Sequence, residues 1–590
     1  MALVESAFRY DDSPADDNVH GPLRSVHVKH NSKPQNPQTV RALLKRLRLV
    51  LPTDETIDLL VKTYFDRVHW FVLAFHQDDF KHRLQVYLND RDTLLMTRLE
   101  TTGYLSTLLA VLCVGLECLG PYRTSLLEQQ CAKRNALQEQ IETVLNESFL
   151  DIISLATIES AQTCVLLSVY YLYRGNVQKA WPICACALRI AQTLELHRPP
   201  SADRAHHLPP TQSFPVHILE TRKRCWWAIY EVETFCCMLY GYTPAICDAD
   251  CSVDFLDDSL VPARLGPNLL TYKKLMCQLS VIIKQTLQAV YRRQGSQNGN
   301  VTKSNELQFI VAEVQALHTK LEEWQSNLPP HLRITTPTET GYSSLDEAEH
   351  DIGASGEQFA QHATQLQALT LKLAFDNTRI LIHRRLLSFD FSSHFPSSST
   401  TPSQMTTTFH HCLSTCREAG SQTAELGALP IFKFAAHTYA AAFINTHLFT
   451  AGVALCLSAM IDPLSEHNTS VKRDVQKIIK LQKGSSAEVL PSPQALSVLQ
   501  RLMRVVLEKE LACIVNPGMG GADQTIQPQT PAGGDRPLAT PYPPSPLPSN
   551  IKGSSNLQST NSELPSTMFN NLQGFEDSMY PSPLSSALHH

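Results

Sequence analysis

The sequence predicts an all-α protein, and three observations carry the prediction. Apolar residues recur at alternating spacings of 3 and 4 in one segment after another, as at Ala180, Ile183, Ala187, Ile190 and Leu194, which puts them on one helix face. No strand-length alternation bounded by turn signals interrupts these segments. Helix punctuation stands where the periodicity starts and stops, as with Thr53 before Asp54 and Glu55, or Gly175 after Arg174. With 590 residues, 43% hydrophobic and 18% charged, the chain can bury a large core. Its net charge of −6 supplies no overall basic field, so contact with nucleic acid would need a local patch or a separate domain.

Residues 1–38 are polar and broken by Pro14, Pro22, Pro34 and Pro37, which predicts a disordered N-terminal tail. A folded unit is expected over 39–515. It begins with a short helix carrying Arg41, Lys45, Arg46 and Arg48, a cluster better suited to a solvated face than to DNA, because four charges bind weakly alone. Thr53 then caps a helix expected to run on through Phe80, with His69 and His76 expected as core or capping histidines because no third ligand is spaced to join them in a metal site. Helices over 103–119, 122–147 and 154–173 follow. The next pair is the most distinctive. Its first helix bears the stripe above. Its second carries Cys225, Ile229, Val232, Cys236 and Leu239, widened by Trp226, Tyr230 and Glu233 into a face too broad to leave in water. Between them, 199–216 contains five prolines and reads as a surface loop.

Beyond Asp258 the periodicity predicts helices at 268–293 and 303–327, then a polar excursion at 330–355. Phe359, His362, Leu366, Leu369, Leu373, Asp376, Ile380, His383 and Leu387 make a heptad-like stripe compatible with a homo- or hetero-dimeric coiled coil. Asp376 and His383 spoil that seam and favour packing within the chain. After a Ser/Thr-rich loop at 391–408, helices are expected at 409–424, 430–461, 468–482 and 493–514. Phe434 to Ile461 lacks Asp, Glu, Lys and Arg and is long enough to span a bilayer, but His437, Asn445 and His447 interrupt it and no aromatic or basic belts flank it. A buried core helix is the expectation there, and no membrane partner.

From Asn516 the composition turns to Pro, Ser, Gly, Asn and Gln, so 516–590 is expected to be a disordered tail. Within it Phe569, Leu572, Phe575 and Met579 lie near helical spacing beside Glu576 and Asp577, the pattern of a segment that folds onto a coactivator groove.

Sixteen cysteines, many inside apolar helical runs, suit reduced buried thiols and a reducing compartment. No G-x-S-x-G, H-E-x-x-H or Walker-type loop is present, so no catalytic residue and no cofactor-binding residue is assigned, and the chain does not read as an enzyme. Cys247 and Cys251, with Asp248, Asp250 and Asp254 nearby, are the best metal candidate, yet such a pair in a loop is weak evidence for zinc and no metal ligand is assigned.

Two stretches carry a family resemblance. Gly175, Ala180-Trp181, Ala187, Arg189, Ala191, Leu194, Leu196 and His197 resemble a "G…AW…A.R.A..L.LH" segment. Arg222, Arg224, Trp226, Trp227, Tyr230, Gly241, Pro244, Ile246, Asp248 and Asp250 resemble an "R+R.WW..Y..D……G.P..I.D.D" segment. Both belong to the regulatory domain of fungal zinc-cluster transcription factors, which Tyr64, Phe65, Val68, His69, His76 and Phe80, and Ile380, Leu381, His383, Arg384 and Leu387, also resemble in other segments. The chain departs from the pattern with Glu195 where Gly is usual, Glu233 for Asp, Tyr242 for Arg and Arg385 for Pro.

The resemblance implies a nuclear transcription regulator of a metabolic or biosynthetic, even secondary-metabolite, pathway, with an activation segment in its tail but the direction of regulation left open. Its all-α domain would restrain or signal to the C-terminal tail, and the tail would meet a coactivator or the transcription machinery. Family members usually read DNA through an N-terminal six-cysteine zinc cluster. Here the first cysteine is Cys113 and no C-x-x-C occurs, so DNA binding would be indirect, through a partner, or supplied by a cluster encoded upstream. A cytoplasmic small-molecule-binding or scaffold protein on the same helical domain is the alternative. If such a domain holds an effector pocket, Trp181, Trp226, Trp227 and Tyr230 are candidates to line it, with core packing the favoured reading.

Overall fold

The computed structural model describes residues 36–89, 97–130, 133–199, 216–258, 269–291, 303–334, 341–388, 401–483 and 493–515. Among these the regular elements are all helical: nineteen α-helices with three short 3-10 turns between them. The rest of the expected N-terminal tail, the expected 199–216 loop, the expected C-terminal tail and its segment at Phe569, Leu572, Phe575 and Met579 lie wholly or mainly outside the described residues.

The first ten helices are α1 Pro37–Leu49, α2 Asp54–Arg67, α3 Gln77–Asn89, α4 Arg98–Glu117, α5 Pro121–Gln129, α6 Arg134–Glu147, α7 Phe149–Ser154, α8 Ile158–Tyr173, α9 Val177–Thr193 and α10 Val216–Tyr240. Local chemistry sets their ends. Asn36 accepts the Gln38 amide at 3.0 Å to start α1, and Thr97 with Glu100 forms a reciprocal capping box on α4. Three C-termini close in the left-handed region, at Gly175 after α8, Glu195 after α9 and Gly241 after α10. Apolar on every side, α4 and α8 pack against each other in the middle of this half. A Cβ at Gly115 would stand 2.7 Å from the Leu60 carbonyl oxygen, so only glycine permits the approach of α2 to α4.

The sequence-predicted helix through Phe80 stops at Arg67. The amide of His69 reaches the Tyr64 carbonyl at 3.0 Å, the chain turns, and a new helix with Asp78 and Asp79 in its first turn begins at Gln77. The segment 122–147 likewise divides into α5 and α6, and the helix expected over 154–173 begins only at Ile158, capped by Thr157, after the separate short helix α7. On α1, Arg46 pairs with Asp151 and Arg48 lies over the Tyr87 ring, while Arg41 and Lys45 face solvent. His69 is buried against Phe65, Phe75 and Tyr64.

The second half comprises α11 Leu269–Val290, α12 Lys303–Ser326, α13 Leu345–His350, α14 Gly356–Arg384, α15 Thr401–Leu426, α16 Pro430–Ala435, α17 Ala440–Ile461, α18 Asn468–Lys483 and α19 Pro493–Val515. Its axis is α14, which touches α11, α12, α15, α16 and α17. The heptad-like stripe is therefore spent inside the chain, and its two polar members have partners there. Asp376, fully buried, accepts Lys372 Nζ at 2.7 Å, and His383 meets His318 Nδ1 at 3.1 Å and the Cys412 thiol at 3.2 Å. Two boundaries differ from expectation. The loop called at 391–408 gives way to helix from Thr401, and 430–461 breaks at 436–439 into α16 and α17.

Among the described residues two helices, Arg98–Glu117 and Ala440–Ile461, are long and apolar enough to cross a membrane, but 89% and 83% of their apolar windows are buried inside the structure. The first of these was not singled out from sequence.

Two hydrophobic cores result. One is drawn mainly from α1 to α10 with Leu270 and Cys277 of α11, the other mainly from α11 to α19 with Trp70 and Met238, and Phe71, Phe235 and Leu269 pack against both. The start of α17 alternates between them: Tyr439, Ala441 and Ala442 belong to the first core, Ala440, Phe443 and Ile444 to the second. Tyr439 donates its hydroxyl to the Val169 carbonyl at 3.1 Å and its amide to the Arg67 carbonyl at 3.2 Å. A buried ion cluster forms a second tie. Arg123 meets Asp66 at 2.9 Å and the carbonyls of Glu349 and Asp351, and Arg67 pairs with Glu349.

Candidate functional site

The signature residues form a brace around the end of α9, the length of α10 and the loop 241–258. Arg222 donates to the Leu194 and Glu195 carbonyls at 2.8 and 3.0 Å, satisfying the last acceptors of α9. Trp226 is buried and lies against His197, whose carbonyl accepts the Ser252 and Val253 amides. Trp227 stacks on Phe255 and donates its indole N–H to the Asp254 carbonyl at 3.0 Å. Arg224, also buried, reaches the Phe75 carbonyl at 3.4 Å. Gly241 turns the chain at φ +68° toward a half-buried Pro244. Asp248 accepts Lys284 Nζ at 2.6 Å and the Tyr230 hydroxyl at 3.1 Å, tying the loop to α11, while the Asp250 carbonyl takes Arg198 Nε at 3.2 Å. Arg189 is exposed and bonds Gln192 on its own helix.

The departures from the family pattern acquire reasons here. Glu195 sits at φ +54°, with its amide on the Gln192 carbonyl and the Leu196 amide on the Ala191 carbonyl, which is the left-handed closure a glycine makes with less strain. Glu233, buried, accepts the Ala245 amide at 2.6 Å, so the longer acid still anchors the loop; burial first, against that hydrogen bond, holds its carboxyl above the usual range. Tyr242 stacks on Trp181 at 4.1 Å and fixes the same loop to α9.

Cys247 and Cys251 do not gather ligands. The Cys251 thiol donates to the Cys247 carbonyl at 3.2 Å, and the Asp248 carboxylate turns away to Lys284. Among the described residues no three His, Cys, Asp or Glu side chains converge as a metal ion would require. The described cysteines are free, and burial raises the thiol of Cys225, to about 12, and of Cys236, also to about 12, so these are inert packing groups.

Where the two cores meet lies a cavity of about 70 Å³. Its wall combines Phe71 and Tyr439, Val169 and Leu172 of α8, the 228–238 face of α10, Met276 to Ile283 of α11, Ala374 of α14, and Ala442, Phe443 and His447 of α17. Trp181, Trp226, Trp227 and Tyr230, for which packing was the favoured reading over pocket lining, all turn into the brace, and it is the opposite side of α10 that faces the cavity. The side chains that do line it were not singled out, because a Phe, Met or Ala at helical spacing gives no signal that it faces space rather than core.

Charge at the wall is compensated. Glu231 pairs with Lys273 and also accepts the Cys277 thiol at 3.2 Å, and Lys273 donates onward to the Phe71 carbonyl at 2.9 Å. Two buried polar groups are left without a partner: the hydroxyl of Thr234, and both ring nitrogens of His447, whose ring packs edge-on to Phe443 at 4.0 Å. Burial holds His447 down to about 3, so its ring is neutral and offers one N–H and one bare nitrogen.

A family model described as the fungal specific transcription factor domain matches residues 61–260, from α2 to the end of the braced loop. This chain carries that domain. The chain is also similar to an uncharacterized transcriptional regulatory protein of Schizosaccharomyces pombe, 22% identical over 316 residues, 52% of this chain and 36% of that one. Activator of stress genes protein 1 of Candida albicans is 26% identical over 274 residues, 42% of this chain and 25% of its own. An ABC-transporter-regulating transcription factor of Aspergillus fumigatus is 23% identical over 339 residues, 56% of this chain and 33% of its own. The matched stretches thus span only a quarter to about a third of these relatives' length.

Proposed function

We propose that the protein is a transcription regulator, not an enzyme, acting in the nucleus on genes of a metabolic, biosynthetic or transport pathway. The observation that carries this reading is the match of 61–260 to the fungal specific transcription factor domain, in which the signature residues serve as a brace and none is poised for chemistry. In this reading the two-core helical body is the control element, and 516–590 carries an activating segment around Phe569, Leu572, Phe575 and Met579 that meets a coactivator. Contact with DNA comes through a partner or through a zinc cluster encoded upstream, and no cofactor is bound by the helical body itself.

Tethering the chain to a heterologous DNA-binding domain upstream of a reporter tests this. Activation that disappears when Phe569, Leu572 and Phe575 are changed together to alanine is expected. A silent reporter, with the tagged chain retained in the cytoplasm, would instead support a cytoplasmic binding or scaffold protein.

A further inference from the structure

The cavity between the two cores differs from a packing defect in what lines it. A void left by imperfect packing is apolar throughout and stays dry. This one carries a buried neutral imidazole and a buried hydroxyl, both unpartnered, and leaving such groups unsatisfied costs stability with nothing in return unless something else meets them. The rest of the wall is mainly apolar and includes Phe71, Phe235, Phe443, Met238 and Met276, rings and thioethers that favour an aromatic body and can shift to admit one. Because Glu231 is already neutralised by Lys273, an anionic or cationic guest would enter without a counter-charge. At 70 Å³ the space is about half that of an engineered cavity of about 150 Å³ that takes benzene, so a guest the size of one ring enters as the methionines give way.

We propose that this cavity is a binding site for a small uncharged molecule of the phenol class, one ring carrying one hydroxyl, held between the two cores with its hydroxyl on His447 or Thr234. The guest touches α8 and α10 on one side and α11, α14 and α17 on the other, so it links the cores directly. Any effect on transcription rests on the regulatory reading above; the binding does not.

The test is thermal denaturation of the purified full chain with phenol, toluene and benzoate as probes. Phenol is expected to raise the melting temperature in a saturable way and toluene to bind about tenfold more weakly for want of the hydrogen bond, while benzoate has no effect. Ala442→Leu, which fills the space, should abolish the phenol response, and Ala228→Leu on the facing wall serves the same purpose should the first variant not fold. His447→Phe combined with Thr234→Val should keep toluene binding and bring the two ligands to near-equal affinity, the single variants showing which group holds the hydroxyl. Absence of a phenol shift in the unaltered chain, as a cavity holding water alone would give, overturns the proposal, as does an equal shift in the filled variants. The tethered reporter separates the two readings. Phenol binding with a reporter indifferent to phenol and to Ala442→Leu leaves the site standing and removes its regulatory role; an active reporter with no phenol binding does the reverse.

Discussion

Glu195 holds the left-handed corner that ends α9, a conformation that costs a side-chain-bearing residue roughly 1–2 kcal/mol. Glu195→Gly should therefore raise stability by about 1 kcal/mol, read as an increase in the denaturation midpoint without a change in the slope. Trp226, buried against His197, should lose about 3–5 kcal/mol as Trp226→Ala; a variant as stable as the parent would show that it is not core. His447 and His383 give a pH dependence of definite sign. Burial, joined for His383 by neighbouring His318, His411 and Arg379, holds both down to about 3, far below the unfolded value near 6.5. The unfolded chain binds the protons first, so the stability these groups allow is complete above pH 6.5 and is lost as pH falls toward 3, by about 2 kcal/mol per histidine at pH 5. His447→Phe should flatten that limb of the denaturation profile. At this scale the sequence was partly legible. Gly175 announces a helix end because glycine has a reason to be there, and Glu195 was visible as a departure whose meaning only its φ supplies. The unpartnered state of His447 was not legible, since partners come from helices far apart in the chain.

The brace makes an asymmetric prediction at the scale of elements. Lys284 on α11 is fully buried, whereas Asp248 in the loop is 40% exposed. Asp248→Ala strands a buried ammonium and should cost about 3–5 kcal/mol. Lys284→Met leaves a carboxylate that water can reach and fills the same space, so it should cost no more than about 1 kcal/mol while amide exchange in 246–256 speeds up. Equal losses in the two variants would show that burial does not govern the pair. The long helices were read well from periodicity, down to the last before Asn516, but α3, α7 and α13 were missed, α13 because it lies in a polar stretch and α7 because six residues give no period to read. Helix ends were read poorly wherever apolar residues continue across a turn: Val68 to Phe75 stays apolar enough to prolong a helical pattern, yet the chain bends there because His69, Trp70 and Phe71 pack in different directions. The same holds at 436–439, where Tyr439 leaves the helix direction to reach Arg67 and Val169.

Across the whole molecule the two cores share the start of α17, the Arg123–Asp66 cluster and the Lys273–Glu231 pair. Calorimetry should show one transition for the two, and Tyr439→Ala should be the change that splits it, by removing the hydrogen-bonded ring that seats the start of α17 against α8. The all-helical class and the unsuitability of 434–461 as an exposed segment followed from composition and periodicity. The division into two cores did not, because it depends on pairings such as Tyr439 with Val169 that no local pattern announces. That seat has a practical corollary for anyone dividing the gene. A fragment cut at the limits of the family match, 61–260, would end long before Tyr439 and would expose the wall that α17 covers, with the Val169 and Arg67 carbonyls bereft of donors. What is inherited as a recognisable block is thus smaller than what folds, and the remainder of the chain is a structural prerequisite for the part that carries the family likeness.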